Sequence, residues 1–345
     1  MKKVLLDDLQ VALEIVKPAI AKKELIEQST SFAFADGKVL AYNDEVYMSH
    51  PVEGLDLFGA IKAEELYGII SKIKEKEILL DVTDNEVVIT AGRTKAGLLF
   101  ESEIKLPLDQ IDSVTEMIPI DDEFLDRLSF ASMVTSTNYL TPILACIHVD
   151  RNTLSSSDNR RLCHITLEQD TGIEKLLLPA KIVPLIMKMQ ASKIAVTESW
   201  VHFENEVGTR LSARIFSGEF PEISGVISVT PDVEIELPAN LTETIDRAEV
   251  FSKKEYVNDE LITIELSRGK LTLKSKSDSG WFKEVNKCDY ADADILSFDI
   301  QPIFLKDILT KTNICHISKK SNMVIFKEAN KWIYLTKVEL KRKDK

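Results

Sequence analysis

The sequence predicts an α+β chain built from three successive copies of one helix-and-strand unit, because two series of tight turns and the helices between them recur in step. In the first series, period-two runs flank short turns, the pattern of a β-hairpin. Ser31-Phe32-Ala33-Phe34-Ala35 leads through Asp36-Gly37 into Lys38-Val39-Leu40-Ala41-Tyr42. Ala145-Cys146-Ile147-His148-Val149-Asp150 leads through Arg151-Asn152 into Thr153-Leu154-Ser155, and Leu261-Ile262-Thr263-Ile264-Glu265-Leu266 through Arg268-Gly269 into Lys270-Leu271-Thr272-Leu273. These turns begin at 36, 151 and 268, spacings of 115 and 117 residues. The second series turns at Asp84-Asn85, near Glu198-Ser199 and near Ser321-Asn322, spacings of 114 and 123.

Helical periodicity fills the intervals in the same order. Segments 6–23, 121–137 and 240–254 precede the first hairpins, and segments 62–76, 180–190 and 302–312 precede the second. In 62–76 the apolar residues Leu66, Ile69, Ile70 and Ile73 fall on one face. Acids or a cap-like residue open the first helices (Asp7-Asp8, Asp121-Asp122-Glu123, Asn240) and lysines close two of them (Lys22-Lys23, Lys253-Lys254), which suits the helix dipole. Each unit therefore reads helix, strands, helix, strands over about 115 residues. Boundaries fall in Asp-, Ser-, Thr- and Pro-rich stretches (Asp112-Ser113-Val114-Thr115; Ser228-Val229-Thr230-Pro231-Asp232), giving expected domains 1–115, 116–230 and 231–345. An unrelated α+β tandem is the alternative, and it leaves the matched order and spacing without a cause.

Composition narrows the function classes. A chain of 345 residues, 44% hydrophobic and 29% charged, is globular and too long for one ordinary core. It has no run of about 18 apolar residues, so no membrane partner is expected. Its start meets Asp7 earlier than a signal peptide would, so a cytoplasmic location is expected. The four cysteines (Cys146, Cys163, Cys288, Cys315) form no CxxC pair and the five histidines are scattered, so neither metal nor cofactor is expected. With 43 basic against 56 acidic residues the net charge is −13, which argues against a nucleic-acid partner only if charge is evenly spread.

Two segments are more specific. Ser156-Ser157-Asp158-Asn159-Arg160-Arg161-Leu162 resembles the A-T-D-G-H-R-L turn in the central domain of the bacterial DNA polymerase III β subunit, the sliding clamp. About 60 residues later, Phe216-Ser217-Gly218-Glu219-Phe220-Pro221-Glu222-Ile223 is similar to the V-D-G-x-F-P-D-Y that closes that domain. With the three-fold repeat, the resemblance covers the whole chain. There are departures. Asn159-Arg160 replaces Gly-His, which Asn tolerates because it adopts φ > 0. The family's C-terminal M-P-M-R-L gives way to Leu335-Thr336-Lys337-Val338-Glu339-Leu340 and a charged tail, 341–345, and the first domain carries no distinctive motif. Such divergence suits a phage or similarly remote member.

The resemblance implies a DNA-clamp fold: a homodimeric ring closed head to tail, with helices lining a pore and sheets outside. The ring encircles double-stranded DNA without reading its sequence, tethers DNA polymerase, and is opened by an ATP-driven clamp loader, since the chain has no nucleotide motif of its own. Residues carried over to the client-peptide groove are Leu140, Ser157, Asn159, Arg160, Arg161 and Leu162, then Pro221, Gly225 and Val226, then Tyr256, Phe304, Met323 and Leu335. Apolar walls with a few polar groups are what a peptide anchor needs. Gly225 stands where the family often has a large basic residue. Expected DNA contacts are Lys22, Lys23, Lys72, Lys74, Lys188, Lys306 and Lys311; lysines modestly outnumber acids on the second helices, while the first helices, which carry Lys22 and Lys23, are together net acidic. The apolar pair Val250-Phe251, at the end of segment 240–254, is the expected dimer contact.

Two rival readings stand beside this one. A clamp-like scaffold could bind proteins without enclosing DNA. A hydrolase could use Asp158 with His164, or Asp121, Asp122 and Glu123, but no P-loop, nucleophile elbow or HExxH accompanies them. Acids that open a helix more often complement its dipole than catalyse.

Overall fold

The structure, a computed structural model, describes residues 2–83, 85–138, 140–256, 259–292 and 294–343, with the side chains of 342 and 343 excepted. Asp84 of the expected Asp84-Asn85 turn, and Asp344 and Lys345 of the charged tail, lie outside the described residues. The chain divides into two compact units: Met1–Leu125 with Lys181–Ser217, and Asp126–Ala180 with Gly218–Lys345.

Along the chain, the first stretch holds β1 (Lys2–Leu5), α1 (Leu6–Val16), β2 (Ser31–Ala35), β3 (Lys38–Tyr42), β4 (Val46–Pro51), β5 (Gly59–Lys62) and α2 (Ala63–Ile70). It continues with β6 (Glu77–Val82), β7 (Glu86–Ala91), β8 (Thr94–Leu99), β9 (Ile118–Pro119) and α3 (Asp122–Ser132). Next come β10 (Cys146–Asp150), β11 (Thr153–Ser157), β12 (Arg161–Thr166) and β13 (Leu176–Pro179). The third stretch is α4 (Val183–Met189), β14 (Lys193–Val196), β15 (Trp200–Glu204) and β16 (Arg210–Arg214). The last holds α5 (Ser224–Ile227), β17 (Val233–Glu236), α6 (Leu241–Glu249), β18 (Ile262–Ser267), β19 (Lys270–Ser277), β20 (Gly280–Lys287) and β21 (Ile295–Ile300). It ends with α7 (Pro302–Leu309), β22 (Ile314–Ser318), β23 (Met323–Glu328), β24 (Trp332–Lys337) and β25 (Lys341–Lys343).

All three turns of the first series lie in hairpins: β2–β3, β10–β11 and β18–β19. Asp36 and Gly37 both take φ > 0 (51° and 71°), the backbone that lets a two-residue turn follow the strand twist. The helices are shorter than their apolar patterns. The 6–23 pattern stops at Val16 and a 3-10 turn, because Pro18 cannot donate to the helix ladder. The 62–76 pattern stops at Ile70, yet Ile73 is still buried, so packing outlasts the helix.

Unit 1 contains an antiparallel eight-stranded sheet, β5-β2-β3-β4-β16-β15-β14-β9, and a four-stranded one, β1-β6-β7-β8. Its core gathers Trp200, Tyr42, Leu40, Ala33 and Leu106, and the Trp200 indole donates to the Gln110 carbonyl at 3.0 Å. Unit 2 contains an eight-stranded sheet, β13-β10-β11-β12-β24-β23-β22-β17, and a five-stranded one, β20-β19-β18-β21-β25. There Phe130 meets Trp332 edge-on at 5.4 Å, and the Tyr334 hydroxyl donates to the Phe304 carbonyl at 3.0 Å.

Candidate functional site

The turn between β11 and β12 organises one site in unit 2. Asn159 adopts φ 73°, the left-handed conformation expected of it. Asp158 Oδ1 accepts the backbone N–H groups of Arg160 and Arg161, both at 3.0 Å, while Ser157 Oγ donates to the Arg161 carbonyl at 2.8 Å. The Arg161 side chain then turns inward. Its Nε donates to Asp158 Oδ2 at 3.0 Å, Nη1 to Asp307 Oδ2 at 2.6 Å and to the Tyr334 hydroxyl at 3.3 Å, and Nη2 to the Met133 carbonyl at 2.6 Å. The guanidinium also lies 4.4 Å from the centre of the Phe304 ring. Burial opposes its charge, but Tyr334, Asp307 and Asp158 outweigh that cost and raise its pKa above the ordinary arginine value.

Leu162 faces Leu335 across the β12–β24 pair. With Ile325 they form a buried apolar patch, packed against Ile223, Val226, Met323 and neighbouring partly buried residues. Unit 2 also holds a cavity of about 460 Å³ whose lining includes Asn159, Arg160, Phe304, Thr336, Val338 and Glu339. The structure thus brings Leu162, Val226, Met323 and Leu335 into one patch, and Asn159, Arg160 and Phe304 onto one cavity. Arg161 is placed differently. It is buried beneath the turn with Nε, Nη1 and Nη2 all bonded within unit 2, whereas Arg160 is exposed. Leu140 is 88% exposed and Tyr256 66% exposed, and neither belongs to the patch or the cavity lining. Pro221 and Gly225 are exposed, and a side chain added at Gly225 would meet nothing within 4 Å.

The expected DNA-contacting lysines separate into two kinds. Lys22, Lys23, Lys72, Lys74 and Lys188 are exposed in unit 1, and none takes part in an ion pair among the described residues. Lys188 also borders a cavity of about 510 Å³ beside α1 and α2. In unit 2, Lys306 bonds Asp246 at 2.8 Å and Glu249 at 3.1 Å, and Lys311 lies 3.4 Å from Asp126. Those two are tied to acids that cancel their charge.

Val250, 67% exposed, ends α6, and half-buried Phe251 packs over Gly280, where an added Cβ would come within 2.9 Å of its ring. Sequence reasoning missed the exposed apolar residues on two strands that end their sheets, β20 in unit 2 and β8 in unit 1. On β20 alternate residues point outward, leaving Trp281 70% and Val285 52% exposed, and on β8 Leu99 is 71% exposed. The alternation is readable in 280–287, but nothing in it says that the strand ends a sheet.

The residues of the hydrolase reading have structural work. Asp158 holds Arg161, His164 Nδ1 lies 2.9 Å from Ser155 Oγ, and Asp121 accepts the Phe124 N–H at 2.8 Å as a helix cap. Among the described residues no cluster of three potential metal ligands occurs, and no helix is long and apolar enough to cross a membrane.

Comparison with solved structures establishes the fold. The DNA polymerase III beta chain of Streptococcus pneumoniae superposes over 98% of both chains with a TM-score of 0.85 at 17% identity. The DNA polymerase sliding clamp of Bacillus subtilis also covers 98% of both, with a TM-score of 0.82 at 16% identity. Among curated proteins, the beta sliding clamp of Chlamydia pneumoniae is 24% identical over 265 residues, 72% of this chain and 71% of that protein. The beta sliding clamp of Chlamydia muridarum is 25% identical over 266 residues, with the same coverage. No family model matches the chain.

Proposed function

Taking the chain as a divergent homologue of the bacterial β sliding clamps, we propose that it is a DNA polymerase processivity factor that closes as a head-to-tail dimeric ring around duplex DNA. The observation that carries this reading is the strand order. Three four-stranded blocks share one order: β5-β2-β3-β4, β13-β10-β11-β12 and β21-β18-β19-β20. Three others share a second: β1-β6-β7-β8, β9-β14-β15-β16 and β17-β22-β23-β24. The last strand of a first-type block joins the last strand of a second-type block twice within the chain, as β4–β16 and β12–β24. That leaves β20 and β8 with outer edges unpaired among the described residues. Joining β20 of one copy to β8 of another would repeat the same junction and complete an eight-stranded sheet. Two such contacts close a ring of two chains, each contact being heterologous.

In this reading, domains 1–115, 116–230 and 231–345 are the three clamp repeats, each contributing one block of each type. Val250, Phe251 and Trp281 flank the new junction, and the expected lysines face DNA through a few phosphate-directed contacts that permit sliding. The groove of Leu162, Val226, Met323 and Leu335, with Asn159, Arg160 and Phe304, receives an apolar peptide from polymerase. A loader driven by ATP opens the ring in the cytoplasm, and the chain itself catalyses nothing. The net charge of −13 and the ion-paired Lys306 and Lys311 favour a second reading, a scaffold that binds the same peptides without enclosing DNA.

Retention on plasmid after loading separates the two. A ring stays on circular DNA and slides off once the plasmid is linearised, whereas loss from both forms alike supports the scaffold. Light scattering adds the subunit count, and a monomer at micromolar concentration would remove the dimeric ring.

A further inference from the structure

We propose that the outer edge of β21 is a strand-addition site for an extended, lysine-bearing peptide, and that the chain's own residues 341–343 occupy it in cis as a detachable strand. β21 corresponds to β5 and β13 in the block order. The β5 edge is met only by an isolated bridge between Ala60 and Glu101, and no strand pairs the outer edge of β13 among the described residues. β25 is therefore an addition to the repeated plan. Among the described residues Ile295, Leu296 and Ser297 pair with Lys343, Arg342 and Lys341, three pairs against the six that join β23 to β24.

One side chain of the tail reinforces the ladder. Lys341 Nζ donates to Asp299 Oδ2 at 3.2 Å, and both groups are partly open to solvent. Asp299 does not depend on the tail for its position, because its Oδ1 accepts the Thr263 hydroxyl at 2.5 Å. The carboxylate is thus set by β18 to receive an ammonium from whatever strand lies on the edge. Backbone ladder supplies affinity in such additions, and the side-chain site supplies selectivity. The strand also begins where the cavity ends, since Asp299, Ile300, Val338 and Glu339 all line it. The competing account is that β25 merely blunts an edge, which lysines do in many sheets.

The test needs neither DNA nor a polymerase. A fluorescein-labelled peptide with the sequence of residues 339–345 is titrated, by anisotropy, against the full chain and against a chain ending at Leu340. The shortened chain should bind it about ten-fold or more tightly than the full chain, because a tethered strand competes at high effective concentration. Asp299→Asn in the shortened chain should weaken the peptide several-fold, as should a glutamate in place of the peptide's first lysine. Arg342→Pro in the full chain, which disfavours a paired strand at 341–343 without shortening the protein, should bind the peptide like the shortened chain and keeps the test open if truncation impairs folding. Equal affinity for the full and altered chains, no binding to either altered chain, or indifference to Asp299→Asn would leave β25 as an edge guard and overturn the proposal.

Discussion

The β4–β16 junction of unit 1 and the β12–β24 junction of unit 2 join antiparallel strands in the same way but are held by different chemistry. Beside β4–β16 the buried polar groups are neutral, while the ion pairs of Arg210 with Glu204 and of Arg214 with Asp44 stay partly exposed. His202, fully buried, lies 2.8 Å from Ser212 Oγ through Nδ1 and 3.1 Å from Thr197 Oγ1 through Nε2, and His50 Nδ1 lies 2.7 Å from Thr209 Oγ1. At β12–β24 there is instead a buried charge, Arg161, shared among Asp158, Asp307 and Tyr334. A neutral hydrogen bond can be lost at modest cost, whereas a buried ion pair that loses one partner strands the other. Unit 2 therefore keeps a buried ion pair packed against Phe304, a residue of the cavity lining.

The largest expected effect follows from that contrast. Arg161→Ala leaves Asp158 and Asp307 without their cation, and should lower the unfolding free energy of unit 2 by roughly 3–5 kcal/mol. Hydrogen exchange in β12 and β24, compared with β4 and β16, reads the loss unit by unit. Equal change in both units, or none, would deny Arg161 this special burden. Any loss of peptide binding in this variant is then a loss of support, not of a direct contact.

The open edges come next. If β20 and β8 make a third junction between chains, Val250→Ala with Phe251→Ala should give a folded monomer, with association weakened by roughly 3–6 kcal/mol for two apolar side chains. Phe251 also covers Gly280, so a Trp281→Ala chain serves as the check that touches only the exposed face. A double variant that stays dimeric at nanomolar concentration would remove this interface.

Leu162→Ala tests the groove itself. The side chain is buried against Leu335, so peptide affinity should fall by roughly 1–3 kcal/mol while dimerisation is unaffected. Unchanged affinity would mean that clients dock elsewhere.

The neutral junction of unit 1 should respond to acid. Burial, then the Arg210 charge, pushes the His202 pKa down from 6.5 to about 4, with Asp112 opposing. A depressed histidine favours the folded state fully above the unfolded value of 6.5, and that stability is lost as pH falls toward 4. Urea unfolding followed by exchange in β15 and β16 should therefore show a decline over this window, flatter in His202→Gln. The other four histidines are also lowered by burial, so some decline should persist in unit 2.

What the sequence made legible is what short-range physics sets. The hairpin at Asp36-Gly37 and the left-handed turn at Asn159 depend on residues next to them, and both were readable. The fate of Arg161 was not, because its partners Asp307 and Tyr334 lie 146 and 173 residues away. The same holds for the sheets. A repeat of about 115 residues is visible in the turns, but β12 pairing with β24, and β4 with β16, is long-range and leaves no mark at either strand. The groove was half legible for this reason: Leu162 and Leu335 meet through that pairing, while Leu140 and Tyr256 stay exposed apart from the patch.

The smallest effect concerns DNA, and it sharpens the contrast between the units once more. Lys22, Lys23 and Lys188 are exposed in unit 1, while Lys306 and Lys311 of unit 2 are held by Asp246, Glu249 and Asp126. A lysine already paired releases few counterions when it meets a phosphate, so only the first group should contribute to salt dependence. Replacing Lys22, Lys23 and Lys188 together with glutamine should flatten the slope of log K against log salt by roughly one unit per lost phosphate contact. Replacing Lys306 and Lys311 should leave the slope nearly unchanged and instead loosen α6 against α7. Peptide binding should be the same in both sets. Equal flattening in the two sets would show that DNA displaces the acidic partners of Lys306 and Lys311, and the division between free and paired lysines would then say nothing about which of them hold the duplex.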